Sequence, residues 1–152
     1  MKKKGFTLVE LLAVISILAV LVLMIAPNVI NTFNTTKKQN FVSETREVCR
    51  SATNTYLRKS LMSYSHKVYS NIPSNPTDTL DLQGRKEFKY CVHVNTDGEV
   101  VGILTYDGDN AILVVNENGV DPNNITDHDL YSVNPKTMTY NEAKNLVGYS
   151  EG

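Results

Sequence analysis

Cysteine is scarce in this chain of 152 residues, with only Cys49 and Cys91. Neither belongs to a C-x-x-C pair, which removes the usual zinc and thioredoxin-like readings. There is no excess of either charge. A net charge of −1 offers no electrostatic footprint for nucleic acid or another polyanion. Lys67, Arg85, Lys86 and Lys89 are too dispersed and lack the interleaved aromatics of a nucleic-acid surface, so no nucleic-acid partner is indicated. The motifs of common catalysis are missing as well: no G-x-S-x-G, no phosphate loop, no HExxH. The chain does not read as an enzyme, and no cofactor is expected. His66, His93 and His128 have no ligand spacing. Asp107, Asp109 and Asn110, and separately Asp121, Asn123, Asp127 and Asp129, could offer oxygen ligands, but neither group fits the twelve-residue calcium loop. Turn chemistry accounts for them, and no metal site is expected.

What the sequence does have is concentrated at one end. From Leu11 to Ala26 every residue but Ser16 is Leu, Ile, Val, Ala or Met. As a helix, Phe6 to Ala26 spans roughly 30 Å, the thickness of a bilayer's hydrocarbon core. Lys2, Lys3 and Lys4 precede it, so the positive-inside rule predicts a cytoplasmic N-terminus and an exterior remainder. A cleaved secretory signal would need small residues near Met24-Ile25-Ala26, which Met24 and Ile25 do not supply. A plain membrane anchor leaves Glu10 unexplained, because a carboxylate at the centre of a membrane helix costs about 2.5 to 3.5 kcal/mol.

The stretch KKKGFTLVELLAV, Lys2 to Val14, resembles the N-terminus of type IV prepilins and pseudopilins. The resemblance covers roughly the first thirty residues. It implies a leader of residues 1–5, cleavage by a prepilin peptidase between Gly5 and Phe6, and N-methylation of Phe6. It also implies that Glu10 is the fifth mature residue, which pairs with the α-amino group of a neighbouring subunit during assembly. Pro27 stands where many pilins carry a helix-kinking proline, and its missing N–H should bend or break the helix there. One departure is Ala19, where many Gram-negative pilins have glycine; alanine disfavours local melting of the helix.

The partners implied by the resemblance are the peptidase, the membrane before assembly, an assembly platform with its ATPase, and further copies of the chain in a helical filament. The implied location is a single-pass cytoplasmic-membrane precursor with its N-terminus inside, then a surface filament. The implied role is structural: a pilus subunit serving surface functions such as adhesion, motility or aggregation. Two alternatives stay open, a minor pilin or pseudopilin of a secretion or DNA-uptake system, and a monomeric membrane-anchored extracellular binding domain.

Beyond the apolar segment, 6–27, the rest of the chain, 28–152, reads as an extracellular α+β domain of pilin-like plan, a long helix packed on a small antiparallel sheet. No glycine or second proline interrupts residues 28–64, and Ile30, Phe33, Phe41, Val48 and Ala52, with Val42, Cys49 and Tyr56, recur at helical spacing. Its charged residues, including Arg46 and Arg50, read as a solvated face. Residues 65–86, with Pro73 and Pro76, read as a loop. Strands are expected over 87–95, 99–106 and 111–115, joined by turns containing Asp97-Gly98 and Asp107-Gly108. In the first strand Phe88, Tyr90, Val92 and Val94 form an apolar face toward the helix. Residues 117–152 carry many Asn and Asp, with a short helix over 141–147. Cys91 then points away from Cys49. An even cysteine count in an exported chain favours a bridge and the pleat opposes it, so the Cys49–Cys91 disulfide stays open.

Overall fold

The computed structural model describes residues 5–59, 65–73, 78–82, 88–132 and 137–149. The expected leader residues 1–4 with their three lysines, the last turn of the expected helix at 60–64, the loop segments 74–77 and 83–86, and residue 87 at the start of the strand expected over 87–95 lie outside the described residues. The fold is α+β. Helix α1, Leu8–Lys59, leads into a four-stranded sheet of β1 (Lys67–Ser70), β2 (Lys89–Val94), β3 (Val100–Tyr106) and β4 (Ala111–Val115), followed by α2 (Tyr140–Leu146). The strands pair antiparallel in chain order, a simple meander. Contacts divide the chain into two units, Met1–Lys37 and Lys38–Gly152.

In the first unit α1 runs through Pro27 without interruption, so of the two outcomes expected at this proline the break does not occur. The ring removes one ladder bond and the surrounding turns carry the helix on. Every residue from Gly5 to Asn40 is exposed, including Ile30 at 59% and Phe33 at 61%. Helical spacing had grouped these two with the buried face, but that face begins at Phe41.

In the second unit Phe41, Val42, Val48, Cys49, Ala52 and Tyr56 of α1 are buried against the sheet. They meet Tyr69 of β1, Tyr90, Val92 and Val94 of β2, Ile103 of β3 and Ile112 of β4. Each such side chain contributes about 1.5 to 3 kcal/mol when fully buried. A polar pair sits within this layer. Thr45 Oγ1 and Thr105 Oγ1 lie 2.8 Å apart, and Thr45 also donates to the Phe41 carbonyl oxygen. A buried threonine on the helix was not foreseen from apolar spacing, yet its hydroxyl is satisfied twice.

The arginines expected on a solvated face do something else. Arg46 donates from Nε and a terminal nitrogen to the Ile125 carbonyl oxygen at 3.1 and 2.6 Å, and Arg50 reaches Asn123 Oδ1 at 2.9 Å. They tie the segment after β4 to the helix. The acidic residues of that segment act in turns: Asp121 Oδ1 accepts from the Asn123 amide, and Thr126 and Asp129 form a reciprocal cap. Asp107 likewise accepts from the amides of Asp109 and Asn110. Both Asp-Gly turns place glycine at positive φ, Gly98 at 86° and Gly108 at 109°, which is why glycine stands there.

The expected loop 65–86 contains β1, an edge strand of four residues. Too short to show alternation, it carries Val68 and Tyr69 side by side, both buried because the sheet is covered on both faces. The outer face packs α2 through Val68, Ile72, Cys91, Leu104, Ala143 and Val147. Cys91 and His93 alternate with apolar neighbours as a half-solvated strand would, but they too are buried. Gly102 explains how closely α2 docks. A Cβ there would overlap the Val147 carbonyl oxygen.

The two cysteines are free thiols in different layers, Cys49 beneath the helix and Cys91 beneath α2. Burial pushes both thiols up to about 12, so neither is a useful nucleophile at neutral pH. Thiol titration of the native chain at neutral pH should therefore be slow and should yield two equivalents on denaturation, with gel mobility unaffected by reductant; a reductant-dependent shift would contradict the layering. Gly102→Ala should destabilise the folded unit by about 1 to 3 kcal/mol, measured by thermal unfolding, because backbone has to move.

Candidate functional site: the exposed N-terminal helix

The residues that could act on other molecules gather at the start of α1. Thr7 precedes the first helical residue and Glu10 sits in the first turn. Thr7 N–H and Thr7 Oγ1 each donate to Glu10 Oε2 at 2.9 Å, and Glu10 N–H donates to Thr7 Oγ1 at 3.3 Å. This is a reciprocal capping box, T-x-x-E, in which N-terminal amides that would otherwise be orphaned find partners. The glutamate is therefore not unpartnered. Its partner is the threonine three residues back, a signal present in Thr7-Leu8-Val9-Glu10 but eclipsed by the question of charge. Both Thr7 donors converge on one carboxylate oxygen.

Phe6 and Leu11 occupy the positions that flank such a box in a hydrophobic staple, and both are exposed. Gly5 is exposed, with open space where a Cβ would stand. Downstream, the apolar side chains from Leu8 to Val29 are exposed around the helix. Ser16 turns its hydroxyl inward to the Leu12 carbonyl oxygen at 2.8 Å, so the lone polar residue between Leu11 and Ala26 presents no unpaired donor. A helix apolar all round and uncovered by its own fold is suited to lipid or to other helices. By length and composition α1 is able to cross a membrane, and its apolar segment fits membrane anchoring.

The remaining sequence candidates are not gathered into a site. Pro27 lies within α1, Cys49 and Cys91 are in separate layers, and the acidic groups serve turns. Among the described residues no group of three His, Cys, Asp or Glu is placed to hold a metal ion.

No curated protein and no solved structure matches the chain. Residues 1–26 match the family model described as the prokaryotic N-terminal methylation motif. That motif implies processing by a prepilin peptidase and assembly into a pilus-like polymer, and it favours a structural protein over an enzyme. Gly5, Phe6, the Thr7–Glu10 cap and the exposed apolar helix as far as Ala26 thus lie in a matched segment, and the chain carries the type IV prepilin signature.

Proposed function

We propose that this chain is the precursor of a type IV pilus subunit, cleaved after Gly5, N-methylated on Phe6 and polymerised through the first half of α1. The observation that carries this reading is an apolar helical surface, exposed from Leu8 to Val29, that opens with a carboxylate at Glu10. In the membrane, lipid covers that surface. In a filament, the same segment of neighbouring subunits covers it, and an assembly platform with its ATPase drives the exchange.

Glu10 supplies the register. Cleavage creates an α-ammonium group at Phe6, positive at neutral pH. The capping bonds converge on Oε2, which leaves Oε1 to meet the ammonium group of an adjacent subunit. Leaving one partner of a buried ion pair alone costs about 3 to 5 kcal/mol, so subunits out of register are penalised. The cap holds the carboxylate at the first turn of α1 until that partner arrives. The cut bond requires close approach of a protease to the backbone, which the bare Cα of Gly5 permits.

A minor pilin, or a pseudopilin of a secretion or DNA-uptake system, would use the same processing and the same helix in a different assembly. Surface adhesion, motility or aggregation belongs to the finished filament.

Mass spectrometry of the protein from its native host should find a chain beginning at N-methylated Phe6. Retention of residues 2–5 would instead favour a monomeric anchored domain. Gly5→Trp should block processing, seen as an unchanged precursor mass. Glu10→Ala should be processed normally yet yield few or no filaments by electron microscopy; normal filaments from Glu10→Ala alone would refute the pairing.

A further inference from the structure

His66 and His93 are 27 residues apart and meet beside the β1–β2 pairing. His66 Nδ1 and His93 Nε2 lie 3.0 Å apart. His93 is 6% exposed, and its Nδ1 lies 3.3 Å from the Val147 carbonyl oxygen. Its ring meets Tyr149 edge-on, with centroids 5.1 Å apart. Opposite His93 on β3 stands Gly102, the residue whose missing side chain admits that carbonyl.

These partners fix the protons. A carbonyl oxygen only accepts, so His93 carries its hydrogen on Nδ1 and presents a lone pair at Nε2. That lone pair accepts from the Nδ1–H of His66. The bonds run in one direction, from His66 through His93 to the chain at the end of α2. A proton entering His66 at Nε2 leaves this relay intact. A proton entering His93 has only Nε2 to occupy, and there it faces the N–H of His66. The relay then survives only if His66 gives up its own Nδ1 hydrogen; otherwise two N–H groups face each other across 3.0 Å.

The neighbouring cations and neutral groups do not relieve this. Lys144 of α2 lies with Nζ 5.2 Å from the Tyr149 ring centroid, Lys67 begins β1, and Gly102 brings no charge from β3. Cys91, next along β2 on the same face, is held as the thiol by its burial. Glu117, which lines the same cavity of about 370 Å³ as the two histidines, is the acidic group on that wall.

We propose that His66, His93 and the Val147 carbonyl form a proton-operated latch that holds α2 and residues 147–149 on the outer face of the sheet at neutral pH and releases them in acid. The sign follows from His93. Burial, with repulsion from His66 added, holds it below the ordinary histidine value of 6.5, and the bond to Val147 only partly opposes this. The undocked state therefore binds the proton more readily than the docked one. Docking is at full strength above about pH 6.5 and weakens as pH falls from there through the depressed folded value. Release uncovers Cys91, Val68 and Leu104.

Cys91 reports the latch, and Cys49, under the helix, is its control. The full-length chain in detergent micelles is labelled with an acid-tolerant dithiopyridine reagent, each rate normalised to the unfolded chain at the same pH. Between about pH 6 and pH 5 Cys91 labelling should accelerate severalfold, with about tenfold, one proton's worth per pH unit, as the ceiling, while Cys49 stays protected. In His93→Gln, which keeps a donor and an acceptor but no titration, the acceleration should vanish. Equal protection of Cys91 at both pH values, equal exposure of both cysteines, or acceleration persisting in His93→Gln would each overturn the latch. Should that variant fail to fold, nitrogen NMR of the wild-type histidines decides: His93 found with its hydrogen on Nε2, or titrating at or above the ordinary histidine value, refutes the proposal.

Discussion

An apolar surface that its own chain never covers is the constraint on which this protein depends. Residues 8–29 of α1 form a helix whose side chains have no folded layer against them. Water is a poor solvent for such a surface, so it is stable only in lipid or among other helices. The remainder of the chain solves a different problem with the same helix, covering one face of residues 41–56 with a sheet. One continuous helix thus serves two environments, and the change between them is carried by sequence alone: the apolar residues go from all round to one stripe.

The sheet imposes the second constraint. A meander of four strands has two faces, and the helix covers one. The other is covered by α2, a helix of seven residues that could not persist alone. Its capping box of Thr139 and Glu142 starts it, but docking against the sheet through Ala143 and Val147 holds it. The capping bonds from Thr139 also keep the Glu142 carboxyl below the usual range for glutamate. The same box appears at the start of α1 with Thr7 and Glu10, so both helices open with the same local chemistry.

Much of this was legible in the residues alone. The apolar run, the Asp-Gly turns and the terminal helix each depend on short-range physics: hydrophobic period, positive φ and capping. The strands β2, β3 and β4 were readable because alternation and turn signals coincide there. What escaped the sequence has one main cause, the second covered face. It buries Val68 and Tyr69 together and hides β1, and it places Cys91 and His93 inside the fold although they alternate as solvent-facing residues would. Long-range pairings such as His66 with His93, Thr45 with Thr105, and Arg46 with Ile125 leave no trace in spacing. At the N-terminus the resemblance singles out Gly5, Phe6 and Glu10 but says nothing of Thr7, the residue that holds the glutamate, because a membrane carboxylate invites a search for a cation.

The separate burial of the two thiols carries a mechanical consequence. Sulfur atoms sealed in different layers cannot weld one copy of the chain to the next, so a polymer built from it would have no cysteine cross-links. Any cohesion between copies would then rest on non-covalent packing, which a reductant leaves untouched.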